Sequence, residues 1–167
     1  LYMGLVEPSN RESVVNALVN DIQKRNNALT AGDIGFRYVL KALEAGGQNE
    51  LIFAMNNRDD VPGYGYQLKH GATALTESWQ AYESVSNNHF MLGHLMEWFY
   101  SGMAGIRQRT GSVGYQQLEF KPQPVGDIRF VKAAFQTMYG EVKSSWTKEA
   151  GVFTLQIVVP PNTRASV

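Results

Sequence analysis

A carboxylate and an indole stand two residues apart at Glu77 and Trp79, closing the stretch Gly71-Ala72-Thr73-Ala74-Leu75-Thr76-Glu77-Ser78-Trp79. An imidazole follows in Asn88-His89-Phe90-Met91-Leu92-Gly93, at the mouth of a long apolar run. Carboxylate, aromatic plate and imidazole are the groups that hold and hydrolyse a sugar. Cleaving a glycosidic bond normally takes two carboxyl groups. One protonates the leaving oxygen, and the other activates water or attacks carbon. Glu77 lies among Thr, Ser and Trp rather than on a charged helix face, which makes it the central catalytic candidate. The competing reading is a solvated or capping glutamate, the commoner fate of a glutamate. His89 follows Asn87-Asn88 at an expected helix start. A helix N-terminus disfavours imidazolium, so a neutral, hydrogen-bonding ring is expected there. It would hold a sugar hydroxyl or the water-activating carboxylate; the competing reading is a ring satisfied by backbone. Trp79 reads equally as a sugar platform or as an aromatic of the fold's wall. Tyr66, with Tyr64 across Gly65, reads as lining a cleft or as loop packing.

Other chemistries find no footing. The three histidines lack zinc-site spacing and no His-Glu-x-x-His pattern occurs, so a catalytic metal is rejected. His94 reads as structural, and His70 precedes a glycine in a loop. No Gly-x-Ser-x-Gly elbow, phosphate loop or dinucleotide fingerprint is present. Asp33 opens a helix, and capping accounts for it without catalysis. Trp98 lies off the apolar stripe of its helix and reads as packing, and Trp146 as core.

The elements that must position these groups change character along the chain. Ser9 and Glu12 have capping-box spacing, and Val14, Leu18 and Ile22, with Val15 and Val19, form the stripe of a first helix. A second helix from Asp33 has Phe36, Val39, Leu40 and Leu43 inside and ends at Gly46-Gly47. Asn49 opens a short third helix with Leu51, Ile52 and Met55. Residues 58–70 read as loop, given Pro62 and two glycines among the tyrosines. A long helix is expected after His89, with Leu92, Leu95, Met96, Phe99, Met103 and Ile106 spaced by three or four. Beyond the polar stretch 107–114 the period becomes two. Val142, Ser144 and Trp146 alternate with polar residues, as do Phe153, Leu155 and Ile157, with Glu149-Ala150-Gly151 as the hairpin loop. Leu118–Phe120 and Phe130–Phe135 suggest further strands. An antiparallel sheet belonging to a sandwich is expected. No fixed repeat period is visible, although successive helix pairs suit the turns of a helical toroid.

Composition narrows the partners. The charges balance at 15 basic and 15 acidic residues in 167, so nothing points to nucleic acid or an anionic membrane surface. The run 90–106 is broken by His94 and Glu97 and does not read as membrane-spanning. Eight Phe, eight Tyr and three Trp suit sugar stacking as well as an ordinary core. With no cysteine, disulfides and thiolate chemistry are excluded. The sequence starts at Leu1 and stops at Val167 inside an expected strand, which reads as a piece of a longer protein. Targeting signals would then lie elsewhere, and localisation is unassigned.

Taken in order, the short motifs resemble the C-terminal part of bacterial α-L-rhamnosidases, glycoside hydrolase family 78. The resemblance rests on Gly32 to Gly35, Gly65-Tyr66, Gly71 to Trp79, Asn88-His89 to Gly93, Trp98-Phe99-Tyr100 and Ala104-Gly105-Ile106. In the tail it rests on Gly114-Tyr115, Phe120-Lys121-Pro122, Tyr139-Gly140, Ser145-Trp146 and Pro160-Pro161-Asn162-Thr163. It covers nearly the whole chain, and order and spacing give it its weight. Ala74 and Thr76 depart from the family pattern, which usually has Thr and Trp there.

The resemblance implies a multidomain α and β architecture: the last helices of an (α/α)6 barrel over residues 1–109, then an antiparallel β-sandwich over residues 110–167, incomplete at its end. It implies an inverting hydrolase releasing terminal α-L-rhamnose, with Glu77 as general base and His89, Trp79 and Tyr66 binding substrate. The general acid would lie upstream, and no metal or organic cofactor is implied. The expected partner is a rhamnosyl glycan or glycoside. Open barrel faces on such a piece would also favour self-association. Two rivals remain: a non-catalytic carbohydrate-binding or structural module on the same scaffold, and another (α/α)6 glycosidase or a phosphorylase. The last would need a basic phosphate pocket beside Glu77, which the local sequence does not supply.

Overall fold

The structure, a computed structural model, describes every residue except Tyr82. Two compact units emerge, Leu1–Leu95 and Met96–Val167. The first is helical. Helix α1 spans Arg11–Lys24, α2 Asp33–Ala45, α3 Asn49–Asn56 and α4 Tyr64–Lys69. Helix α2 is the spine, because Phe36, Leu40 and Leu43 recur at four and three residues and are all buried. Ile22 from α1 and Leu51, Ile52 and Met55 from α3 join that core. Burying each such side chain contributes about 1.5–3 kcal/mol. At the end of α2 the Gln48 N–H donates to Leu43 O at 2.8 Å and the Gly47 N–H to Glu44 O at 3.0 Å, a Schellman pair that satisfies the last carbonyls.

Several local expectations are corrected. The capping box at Ser9 does not form: Ser9 lies in a short 3-10 turn, Pro8–Asn10, and α1 has no side-chain cap bond. Of the α1 stripe only Ile22 is fully buried, and Val14 is exposed. The stretch 58–70 is not all loop. Helix α4 forms within it, its first turn closed by the Gln67 N–H donating to Gly63 O at 2.9 Å. Gly65 sits inside that helix because a Cβ there would come within 2.3 Å of Arg58 O. The glycine allows close packing here rather than breaking the helix. The single long helix after His89 is also replaced. A 3-10 turn over Phe90–His94 is followed by α5, Leu95–Trp98, and by a π-helical turn, Phe99–Met103. Ile106 already belongs to a strand. Among the described residues no helix is long and apolar enough to cross a membrane.

The second unit is mostly β. Strands β1 (Ile106–Gln108), β2 (Gln117–Phe120) and β6 (Arg164–Ser166) form one sheet, and β3 (Phe130–Thr137), β4 (Gly140–Glu149) and β5 (Val152–Val158) the other. All pairings are antiparallel except β2 with β6, which is parallel and departs from the expected all-antiparallel tail. Ala150 and Gly151 both have positive φ in the two-residue β4–β5 turn, the pattern of a type I′ hairpin. Ile106, Leu118 and Phe120 from one sheet meet Val142 from the other in a shared core, with Val131, Ala133 and Ile157 packed against it. Val142, Ser144 and Trp146 all point inward from β4, as the period-two pattern requires. Ser144 Oγ donates to Ala104 O at 2.6 Å, and Trp146 Nε1 to Met103 O at 2.7 Å. Gly105 then turns the chain with φ 72°, where a Cβ would meet Pro122 N at 2.2 Å.

Candidate active site

Of the residues singled out by chemistry, Glu77, Trp79 and His89 lie on a strap formed by residues 71–81 and 83–92 of the first unit, and Tyr66 lies on α4 before it. Two links close the strap. The Glu77 N–H donates to Ser86 O at 2.8 Å, and the His89 N–H donates to Leu75 O at 2.7 Å. Residues 75–77 are thereby held beside residues 86–89. Thr76 and Trp79 face inward. Thr76 is 1% exposed, and its Oγ1 donates to Ser78 O at 2.6 Å. Buried Gln67, from α4, donates from Nε2 to the same carbonyl at 3.2 Å. These contacts satisfy polar groups that burial would otherwise leave costly.

Glu77 faces outward between its two buried neighbours. The Ser86 N–H donates to its Oε2 at 3.2 Å. Oε1 has no partner among the described residues. The side chain is thus anchored at one oxygen and offers the other to solvent. It neither caps a helix nor pairs with a cation among the described residues.

Trp79 is enclosed. It is 6% exposed, and its Nε1 donates to Ala31 O at 2.8 Å. Phe36 and Tyr64 meet its ring at centroid separations of 5.1 and 5.0 Å, both near edge-to-face. The indole is therefore packed against Phe36 and Tyr64 as a wall aromatic behind the strap. Tyr64 completes this cluster; its hydroxyl donates to Leu92 O, and burial raises its pKa, keeping it a neutral donor. Tyr66, half-buried on α4, stacks on His70 with centroids 3.9 Å apart and planes at 27°. His70 Nδ1 is 2.9 Å from Tyr66 O. One face of the Tyr66 ring is therefore already occupied.

His89 is half-buried, and its Nε2 lies 3.1 Å from Asp33 Oδ2. The N-terminal field of a helix, invoked above for a neutral ring, acts here through only a five-residue 3-10 turn. A carboxylate on the ring nitrogen is the nearer charge. Asp33 is not the helix cap that its position suggested. Gly32 is the N-cap, Asp33 is the first helical residue, and its Oδ1 accepts the Ile34 N–H at 2.8 Å. The hydrogen bond from His89 is the main cause holding the Asp33 pKa below the usual aspartate range, followed by the bond from Ile34. The partnership spans 56 residues, so no local spacing could have revealed it. Among the described residues, no group of three or more His, Cys, Asp or Glu side chains could hold a metal.

Residues 1–103 match the family described as bacterial alpha-L-rhamnosidase 6 hairpin glycosidase domain. The chain belongs to the bacterial α-L-rhamnosidase family. Residues 105–167 match that family's C-terminal domain, so helices of the six-hairpin barrel followed by a β-sandwich are the architecture. An α-L-rhamnosidase of Streptomyces avermitilis is 31% identical over 176 residues, covering 100% of this chain and 17% of that protein. One from Formosa agariphila is 29% identical, with 19% of its length covered. Among solved structures, the α-L-rhamnosidase of Dictyoglumus thermophilum superposes with a TM-score of 0.90 at 34% identity, over 98% of this chain and 19% of that one. The Streptomyces avermitilis enzyme complexed with L-rhamnose gives a TM-score of 0.91 at 30% identity, over 98% and 16%. The chain therefore spans less than a fifth of the rhamnosidases it matches.

Proposed function

We propose that the protein carrying this chain is an inverting glycoside hydrolase that releases terminal α-L-rhamnose from glycans or glycosides, and that Glu77 is its general base. The observation that carries this reading is the Glu77 side chain, exposed yet fixed, on a strap whose flanking residues Thr76 and Trp79 are buried. A general base needs an oxygen within about 2.6–3.2 Å of the proton it takes. The Ser86 N–H occupies Oε2, so Oε1 is the oxygen for water. The general acid must come from the rest of the six-hairpin domain, about 6.5–9.5 Å away on the opposite face of the sugar. His89 binds a sugar hydroxyl. Tyr66 contributes through its remaining ring face, and Trp79 contributes by holding the strap. The reaction needs water and two carboxyl groups, with no cofactor. Family membership and the L-rhamnose complex of a solved relative support the choice of sugar.

The test is Glu77→Gln in the full-length enzyme with an aryl α-L-rhamnoside. The expected result is a fall in kcat of at least about 10²-fold, the scale of lost acid–base help. KM should move much less, because Gln keeps the size and much of the hydrogen bonding. The first-formed sugar should be the inverted anomer by proton NMR. Near-normal kcat would remove Glu77 as base and favour a non-catalytic carbohydrate-binding module.

A further inference from the structure

A histidine that grips a sugar must present one chosen nitrogen, yet imidazole has two tautomers and two ring orientations of similar cost. Two contacts remove that freedom at His89. Its backbone N–H is fixed to Leu75 O at 2.7 Å, and its Nε2 is fixed to Asp33 Oδ2 at 3.1 Å. Asp33 is itself immobilised. The Ile34 N–H holds its other oxygen at 2.8 Å, and it stands at the start of α2, which Phe36, Leu40 and Leu43 anchor in the core. Duty at the helix start accounts for Oδ1 and leaves Oδ2 unexplained. The Asp33 carboxyl stays ionised across ordinary pH, with the His89 contact as the largest cause. An ionised carboxylate only accepts, so Nε2 carries the hydrogen. Nδ1 has no partner among the described residues, and the side chain is 20% exposed.

We propose that Asp33 is a positioning residue that holds the His89 ring through its Nε2–H, so that Nδ1 is the atom offered to a rhamnosyl hydroxyl. This rests on the reading of His89 as a sugar contact. Asp33 touches no substrate and acts only through the imidazole, in the manner of the carboxylates that orient ligating histidines.

A double-mutant cycle in the full-length enzyme tests it, with KM and kcat for an aryl α-L-rhamnoside as readouts. Asp33→Asn removes the charge and lets the partner atom become a donor. Asp33→Ser keeps an acceptor for the Ile34 N–H but is too short to reach the imidazole. Each should raise KM by about tenfold, the scale of one charged hydrogen bond. In the His89→Ala background the same changes should alter KM by no more than about twofold, because contacting residues are non-additive. Equal effects of Asp33→Ser in both backgrounds would overturn the proposal and make Asp33 a helix-start residue only. If His89→Ala itself leaves KM and kcat unchanged, the failure lies one step earlier, in the sugar-contact reading, and the positioning role falls with it. Two Asp33 variants keep the cycle decisive should one fold poorly.

Discussion

Replacing Trp79 by Phe separates support of the strap from contact with the sugar. The indole donates its only N–H to Ala31 O at 2.8 Å from a site 6% exposed. Phenylalanine cannot make that bond and leaves a carbonyl unpaired, at a cost of about 1 kcal/mol. The smaller ring also withdraws on the order of 50 Å² of apolar surface from Phe36 and Tyr64, worth about 1 kcal/mol at ~25 cal/mol/Å². The sum is about 2 kcal/mol of local stability, since the edge-to-face contacts with Phe36 and Tyr64 are weakened rather than abolished. The assay is urea inactivation of the full-length enzyme alongside KM for an aryl α-L-rhamnoside. The expected result is an earlier inactivation midpoint, with KM in the absence of urea within about twofold of the parent. A tenfold rise in KM with an unchanged midpoint would refute the reasoning and return the indole to the role of sugar platform.

Other perturbations report on other parts. The isolated 167-residue chain should not hydrolyse aryl α-L-rhamnosides, because a single carboxyl cannot act on both faces of the sugar; turnover that Glu77→Gln abolishes would contradict this. The Arg58 guanidinium holds the Asp60 carboxyl down to about 2. A carboxyl with a lower pKa folded than unfolded stabilises fully above about pH 4, and that help disappears as the pH falls toward 2. Asp60→Asn should therefore shift urea unfolding slightly at pH 7 and progressively less on acidification. An equal shift at pH 7 and pH 3 would count against the ion pair.

The sequence was most readable where a single surface dictates the pattern. Strand β4 alternates Val142, Ser144 and Trp146 inward because one face of a sheet must bury and the other must not. Helix α2 carries its inner face at four- and three-residue spacing for the same reason. Where tertiary contacts overrule local tendency, reading failed. Helix α4 forms through Gly65, where the Arg58 carbonyl leaves no room for a Cβ. The run after His89 keeps helical spacing yet changes pitch twice, a difference invisible to apolar periodicity. At the site, Glu77 and His89 stood out by type and neighbourhood. Asp33 did not, because its partner is distant in sequence, and a first-turn aspartate usually means no more than a favourable dipole contact. The burial of Trp79 likewise depends on Phe36 and Tyr64, which nothing near it in sequence announces.

The carbonyls of Met103 and Ala104, at the end of the π-helical turn, are claimed by Trp146 and Ser144 of β4. Residue 103 is also where the match to the six-hairpin domain stops. A protein engineer grafting this sandwich onto another glycosidase, and splicing between 103 and 105, would part the Trp146 and Ser144 donors from the carbonyls they hold here. The seam that conserves the interaction lies earlier, ahead of Met96, where the second compact unit begins. Homology and physical modularity thus draw different cut lines here, and a chimera spliced by the physical one should express in soluble form where the other aggregates.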